Sequence, residues 1–107
     1  MDTMTRIKGQ LDSQPVLLFM KGTPEFPQCG FSARTSQILK NLGVEFGHVN
    51  VLADPEVRAN LPKLSNWPTF PQLFVKGELV GGCDITAEMY ESGELRELLD
   101  AKGIKHS

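Results

Sequence analysis

One cysteine, Cys29, closes the stretch Lys21-Gly22-Thr23-Pro24-Glu25-Phe26-Pro27-Gln28 and is followed at once by Gly30-Phe31-Ser32. A thiol reacts as its thiolate, and a free cysteine has a pKa of about 8.5. The surroundings of Cys29 favour the thiolate. The apolar run Val16-Leu17-Leu18-Phe19-Met20 reads as a buried strand, and Phe31, Ile38, Leu39 and Leu42 mark a helix over Phe31 to Leu42. Two prolines, a glycine and a threonine make the connection between them a loop. Cys29 therefore belongs where a strand hands over to a helix. The first amides of a helix lack intrahelical partners, and the macrodipole adds roughly half a positive charge. Lys21, at the far end of the loop, offers a full charge. Many cysteines are small buried residues without reactivity. The polar and small neighbours Gln28 and Gly30 argue here for an exposed, reactive thiol.

The elements that must hold this thiol follow from the pattern of apolar residues. Met4, Ile7 and Leu11 give a short amphipathic helix over residues 3 to 13, ended by Pro15. Val16 to Met20 is apolar at every position, as expected for the middle of a mixed sheet. Gly43 ends the helix after the cysteine, and Val44 to Leu52 supplies a second strand. Strand, helix, strand in that order predicts a parallel pair with a right-handed crossover. Asp54-Pro55-Glu56 is a helix start with Asp54 as cap, and that helix carries Val57 and Leu61 to Pro62 or just beyond. Asn66 to Pro71 is a loop into Gln72-Leu73-Phe74-Val75, which Lys76-Gly77-Glu78 turns back into Leu79-Val80 as a hairpin. Asp84 or Thr86 is expected to cap a helix through Met89 and Tyr90. A last helix runs from Glu94 to Ala101, with a loose tail from Lys102 to Ser107. A four-stranded mixed sheet flanked by helices is the expected α/β architecture. A reactive cysteine after the first strand and a proline at the start of the hairpin give it the plan of a thioredoxin-like fold.

Composition narrows the function classes. A chain of 107 residues suits one domain, expected to span 1–107 without linkers or repeats. Hydrophobic residues at 40% and charged residues at 22% argue for a folded globule. A net charge of −2 supplies no electrostatic reason to bind nucleic acid. No segment reaches the roughly 20 apolar residues of a membrane span, so no membrane partner is expected. Met1 to Arg6 lacks the apolar stretch of a secretory signal, and two cysteines make no disulfide framework. A reducing, cytoplasmic compartment fits best.

Cys29-Gly30-Phe31-Ser32 resembles the active-site signature of the monothiol glutaredoxins. Lys21-Gly22-Thr23-Pro24, Asp54-Pro55 with Arg58, Trp67-Pro68-Thr69-Phe70-Pro71-Gln72 and Gly81-Gly82-Cys83-Asp84 agree with that family in the same order. The resemblance spans essentially the whole chain and is nearest to the short single-domain bacterial type. It implies a thioredoxin-like fold with Pro71 as a cis-proline facing Cys29. It also implies a groove for glutathione, with the tripeptide's sulfur beside Cys29. Phe70 would pair through its backbone with the glutathione cysteine. Lys21 and Arg58 would hold the glycyl carboxylate, and the backbone of Cys83 with the carboxylate of Asp84 the γ-glutamyl end. The charges suit an anionic tripeptide that carries a cation at one end. A free backbone edge before the proline suits an added strand.

Ser32 stands where a dithiol protein would carry its second cysteine, so Cys29 has no local disulfide partner. It is left with a mixed disulfide to glutathione, exchange with the distant Cys83, or a metal. Cys83 reads more simply as a small residue whose backbone matters more than its sulfur. A [2Fe–2S] cluster takes four thiolates. The family resemblance implies that Cys29 and a bound glutathione from each of two chains supply them, bridging a homodimer. It also implies partnership with BolA-type proteins and delivery to iron–sulfur apo-proteins. A cluster with two small-molecule ligands would be labile, which suits a carrier in iron–sulfur assembly and iron homeostasis. The alternative is a glutathione-dependent thiol–disulfide oxidoreductase that deglutathionylates proteins. A third reading, a non-catalytic adaptor, would make Cys29 dispensable. His48 and His106 form no ligand spacing with the cysteines and read as structural or solvated. Trp67 reads as packing over its loop, with a binding contact second best, and Phe19, Phe31, Phe46 and Phe74 as core, with Phe31 partly exposed.

Overall fold

The computed structural model describes residues 2–107. In chain order it contains α1 (Thr3–Ser13), β1 (Val16–Met20), α2 (Gly30–Asn41), β2 (Gly47–Asn50) and α3 (Pro55–Ser65). β3 (Gln72–Val75), β4 (Glu78–Gly81), α4 (Cys83–Ser92) and α5 (Glu94–Ala101) follow. The sheet order is β2-β1-β3-β4. β1 runs parallel to β2, with Leu18 opposite His48, and antiparallel to β3, with Leu18 opposite Leu73. β3 and β4 form the expected hairpin, bulged between Leu73 and Phe74.

Alternation along β1 builds two cores, because successive side chains of a strand point to opposite faces. Val16, Leu18 and Met20 pack with Ile38, Leu39, Leu73, Ala87, Leu95 and Leu99 beneath α2, α4 and α5. Leu17 and Phe19 pack with Ile7, Val57, Leu61 and Phe74 beneath α1 and α3. Phe19 and Phe74 meet edge-on at 5.5 Å between centroids. This three-layer, thioredoxin-like architecture is the one the apolar pattern calls for.

Several boundaries differ from the sequence reading. β2 keeps only four residues, because Val44 turns inward to the core below α2 and Val51 begins the turn into α3. α3, as expected, continues just beyond Pro62, to Ser65, and ends on Asn66 in the left-handed region. α4 begins at Cys83, with Gly82 as its cap and neither Asp84 nor Thr86 in that role. The Thr86 hydroxyl instead donates to Gly82 O at 2.8 Å, within the first turn. The tail is not loose. Ile104 packs against the larger core, and the Ser107 amide donates to Leu42 O at 2.7 Å, closing the C-terminal end of α2. Phe31 is no core residue, being 60% exposed beside Cys29, and Phe46 is only half-buried.

Candidate functional site

Strand direction explains why the chemistry gathers at one edge. β1 and β2 are parallel, and β4, antiparallel to β3, runs the same way as β1. α2, α3 and α4 follow β1, β2 and β4, so all three start at the same edge of the sheet, where β3 also begins with Pro71 before it. A groove of about 750 Å³ lies there. Lys21, Cys29, Arg58, Phe70, Pro71, Cys83 and Asp84, the residues singled out from the sequence, all line it.

Cys29 caps α2 in an extended conformation and is only half-buried. Its pKa is lowered, first by the backbone amide of Ser32, then by that of Phe31 and by the Lys21 charge; partial burial opposes the shift. These amides face the sulfur without closing as a cap hydrogen bond of ordinary geometry. Sulfur is large, and any donor aimed at it favours the anion. The helix terminus outweighs the lysine.

Ser32, which the sequence reading treated as an absent cysteine, has a positive role. It is fully buried, and its hydroxyl accepts the Lys21 amide at 3.1 Å, tying the end of β1 to the first turn of α2. The intervening loop is built and not slack. Gly22 donates to Asn50 Oδ1 at 2.9 Å, Gln28 donates to Lys21 O at 2.9 Å, and Thr23 and Phe26 exchange backbone bonds. A Cβ on Gly22, at φ +93°, would lie 2.5 Å from Phe26 O, so the turn requires glycine. Lys40 holds the loop from α2 through Pro24 O at 3.0 Å.

The opposite wall is the segment Trp67–Pro71, with a cis bond between Phe70 and Pro71. Phe70 enters no backbone hydrogen bond between elements among the described residues, so its N–H and C=O remain open to a ligand. Lys21, Arg58 and Asp84 take part in no ion pair among the described residues. Two cations and one anion thus face the groove uncompensated. Cys83, 6% exposed, is the first residue of α4 and lines the groove there. Thr69 and Ile85 also line it and were not assigned to it from the sequence, and Trp67 lines it too, which was only the second reading of that residue. Their positions next to Pro71 and Asp84 were the available signal.

A thioredoxin-like fold with a single activated thiol at a groove of this charge pattern defines a class of thiol proteins. The glutaredoxin family profile matches residues 16–80, more than half the chain. A protein of Pasteurella multocida named Glutaredoxin 4 is 56% identical over 106 residues, covering 99% of this chain and 97% of its own length. The Glutaredoxin 4 of Haemophilus influenzae strain 86-028NP is 53% identical over the full length of both chains. A monomeric truncated mutant of Trypanosoma brucei 1-C-Grx1 superposes with a TM-score of 0.89 at 43% identity, covering 99% of this chain and 96% of its own. The chain belongs to the glutaredoxin family, as a monothiol member of the short bacterial kind.

Proposed function

We propose that the protein binds glutathione in this groove and, as a homodimer, carries a [2Fe–2S] cluster for iron–sulfur assembly and iron homeostasis in the cytoplasm. The observation that carries the reading is the half-exposed, activated Cys29 beside unpaired Lys21, Arg58 and Asp84. Lys21 and Arg58 suit the glycyl carboxylate of glutathione, Asp84 its α-ammonium, and the open Phe70 backbone its central peptide. Cys83 contributes its backbone to the γ-glutamyl end. No helix is long and apolar enough to cross a membrane among the described residues.

The donor set fits a shared cluster and not a private one. Among the described residues no three His, Cys, Asp or Glu side chains gather into a metal site. Cys29 is therefore the one thiolate this chain would offer, and the remaining ligands come from glutathione and a second copy. When bound, the cluster supplies transferable iron and sulfide. This chain's residues would hold glutathione and favour the thiolate of Cys29. A BolA-type protein would join by replacing part of the ligand set, and iron–sulfur apo-proteins would be the recipients.

The test is anaerobic reconstitution with ferrous iron and sulfide, with and without glutathione. Visible absorbance and dimerisation should appear together, require glutathione, and vanish in Cys29→Ser. Asp84→Ala should shorten the life of the reconstituted cluster by loosening glutathione; an unchanged decay rate removes that contact. A protein that never takes up iron with glutathione present would overturn the carrier reading. The lowered Cys29 pKa also supports the second reading, deglutathionylation. There the Cys29 thiolate attacks the glutathione sulfur of a mixed disulfide and expels the protein thiolate. A second glutathione then releases glutathione disulfide and restores Cys29. Rapid turnover by a cluster-free monomer would favour that reading.

A further inference from the structure

Gln72 is the first residue of β3 and is fully buried, an unusual place for a carboxamide. Its Nε2 donates to Trp67 O at 2.9 Å and to Thr69 O at 3.1 Å. The orientation is fixed by chemistry, since a flipped amide would point its oxygen at two carbonyl oxygens. The arrangement leaves Oε1 buried without a partner among the described residues. A buried orphan acceptor is costly, and a leucine or methionine would fill the same space without one. What the amide supplies in return is the path of the loop. It draws the carbonyls of residues 67 and 69 inward, on either side of Pro68, while the backbone of Phe70 stays uncommitted.

We propose that Gln72 is a positioning residue of the groove: its carboxamide sets the Trp67–Pro71 wall so that the Phe70 backbone meets the ligand. The proposal rests on the glutathione reading for the identity of that ligand. Gln72 touches no ligand itself and acts through two carbonyls of the loop.

The experiment measures glutathione binding by calorimetry in full-length Cys29→Ser, a background without thiol exchange, with Gln72→Met or Gln72→Glu added. Gln72→Met should bind about tenfold more weakly, because two carbonyls lose their donors. Gln72→Glu supplies a pH readout that a merely stabilising residue would not. Burial raises the pKa of a carboxyl, so at about pH 5 the protonated form still donates to one carbonyl. Ionised as pH rises through that raised value, it repels both, and affinity should fall a further tenfold or so while the parent changes less than about twofold. Amide spectra of the ligand-free proteins supply the second arm: Gln72→Met should shift the Thr69 and Phe70 signals more than those of Phe74 and Val75. Affinities within about twofold of the parent, or unmoved Thr69 and Phe70 signals, overturn the proposal. A parent that binds no glutathione sinks the proposed function instead, and the ligand-free spectra still decide whether Gln72 shapes the wall.

Discussion

Three helices start at the same edge of the sheet, and only one of them is closed by a side chain. At α3 the Asp54 carboxylate accepts the Val57 amide at 3.3 Å and takes Arg6 of α1 bidentately, at 2.5 and 3.1 Å. At α2 and α4 the caps are Cys29 and Gly82, and neither forms a side-chain cap bond. The closed start belongs to scaffolding: it locks α1 to α3 over the core of Ile7, Val57 and Leu61. The open starts keep their polarised amides, which at α2 face a sulfur and at α4 belong to residues that line the groove. Capping stabilises a helix, and leaving a cap out exposes donors that can hold an anion.

The largest effect tests this contrast directly. Cys29→Ser removes the thiol, so alkylation at this position and cluster assembly should be lost altogether. The same change installs a good cap. The variant should therefore gain about 0.5–1 kcal/mol, with Tm higher by about 2–6 °C. Thermal melts beside mass-spectrometric labelling read both halves. A variant that loses reactivity and also melts lower would break the view of α2 as an end left open for chemistry.

Asp54→Ala makes the opposite change at the closed start. It should cost about 1 kcal/mol and lower Tm by about 4–8 °C, with Cys29 alkylation unaltered. The pH dependence has a definite sign. The hydrogen bond from Arg6 holds the Asp54 carboxyl below the ordinary carboxylate range. Its contribution is complete above that range and disappears as pH falls through the lowered value. Melts of wild type and Asp54→Ala should differ at neutral pH and converge in acid. A constant gap down to the acid limb would assign the effect to packing.

At the open start of α2 the size of each influence can be ranked. Alkylation of Cys29 followed against pH should show a midpoint below that of an ordinary cysteine. The Phe31 amide contributes more than the Lys21 charge. Phe31→Pro, which deletes that amide within the first helical turn, should therefore raise the midpoint further than Lys21→Gln. The reverse order would make the lysine, and not the helix end, the main source of activation.

Much of this was legible in the sequence because it depended on local rules. The five apolar residues of β1 fixed its two-sided burial, and Asp54-Pro55 marked the closed helix start without any tertiary information. Lys21, Cys29, Arg58, Phe70, Pro71, Cys83 and Asp84 were found through motif order, and the fold brings them to one groove. What the sequence pattern did not carry lay in side-chain bonds outside the periodic elements. The Ser32 hydroxyl meets Lys21 eleven residues back, and the pairing of Gln72 with two loop carbonyls depends on a turn no periodicity describes. Ser107 meets Leu42 across 65 residues, which no pattern within the tail could announce.

That last contact gives α2 two unlike ends and carries the smallest expected effect. At its N-terminus the amides face Cys29; at its C-terminus the Leu42 carbonyl accepts both the amide and the hydroxyl of Ser107, at 2.7 and 2.9 Å. Gly43 fits there with φ +67° because a Cβ would lie 2.5 Å from the Ser107 hydroxyl. His106 steadies the tail, with Nδ1 2.9 Å from Ser107 O and Nε2 2.7 Å from Asp100 Oδ1. Both oxygens favour the doubly protonated ring, so the His106 pKa is raised, first by the Ser107 backbone oxygen and then by Asp100, with partial burial and Arg96 opposing. A raised pKa means that the clamp is strongest below the ordinary histidine range and weakens as pH rises through the raised value. Exchange of the Ile104 and Ser107 amides, corrected for its intrinsic pH dependence, should accelerate over that window, and His106→Ala should remove the step. The Cys29 alkylation midpoint should stay put throughout, because the tail secures the closed end of α2 and the chemistry resides at the open one. A shift of that midpoint with the state of His106 would instead couple the two ends of the helix.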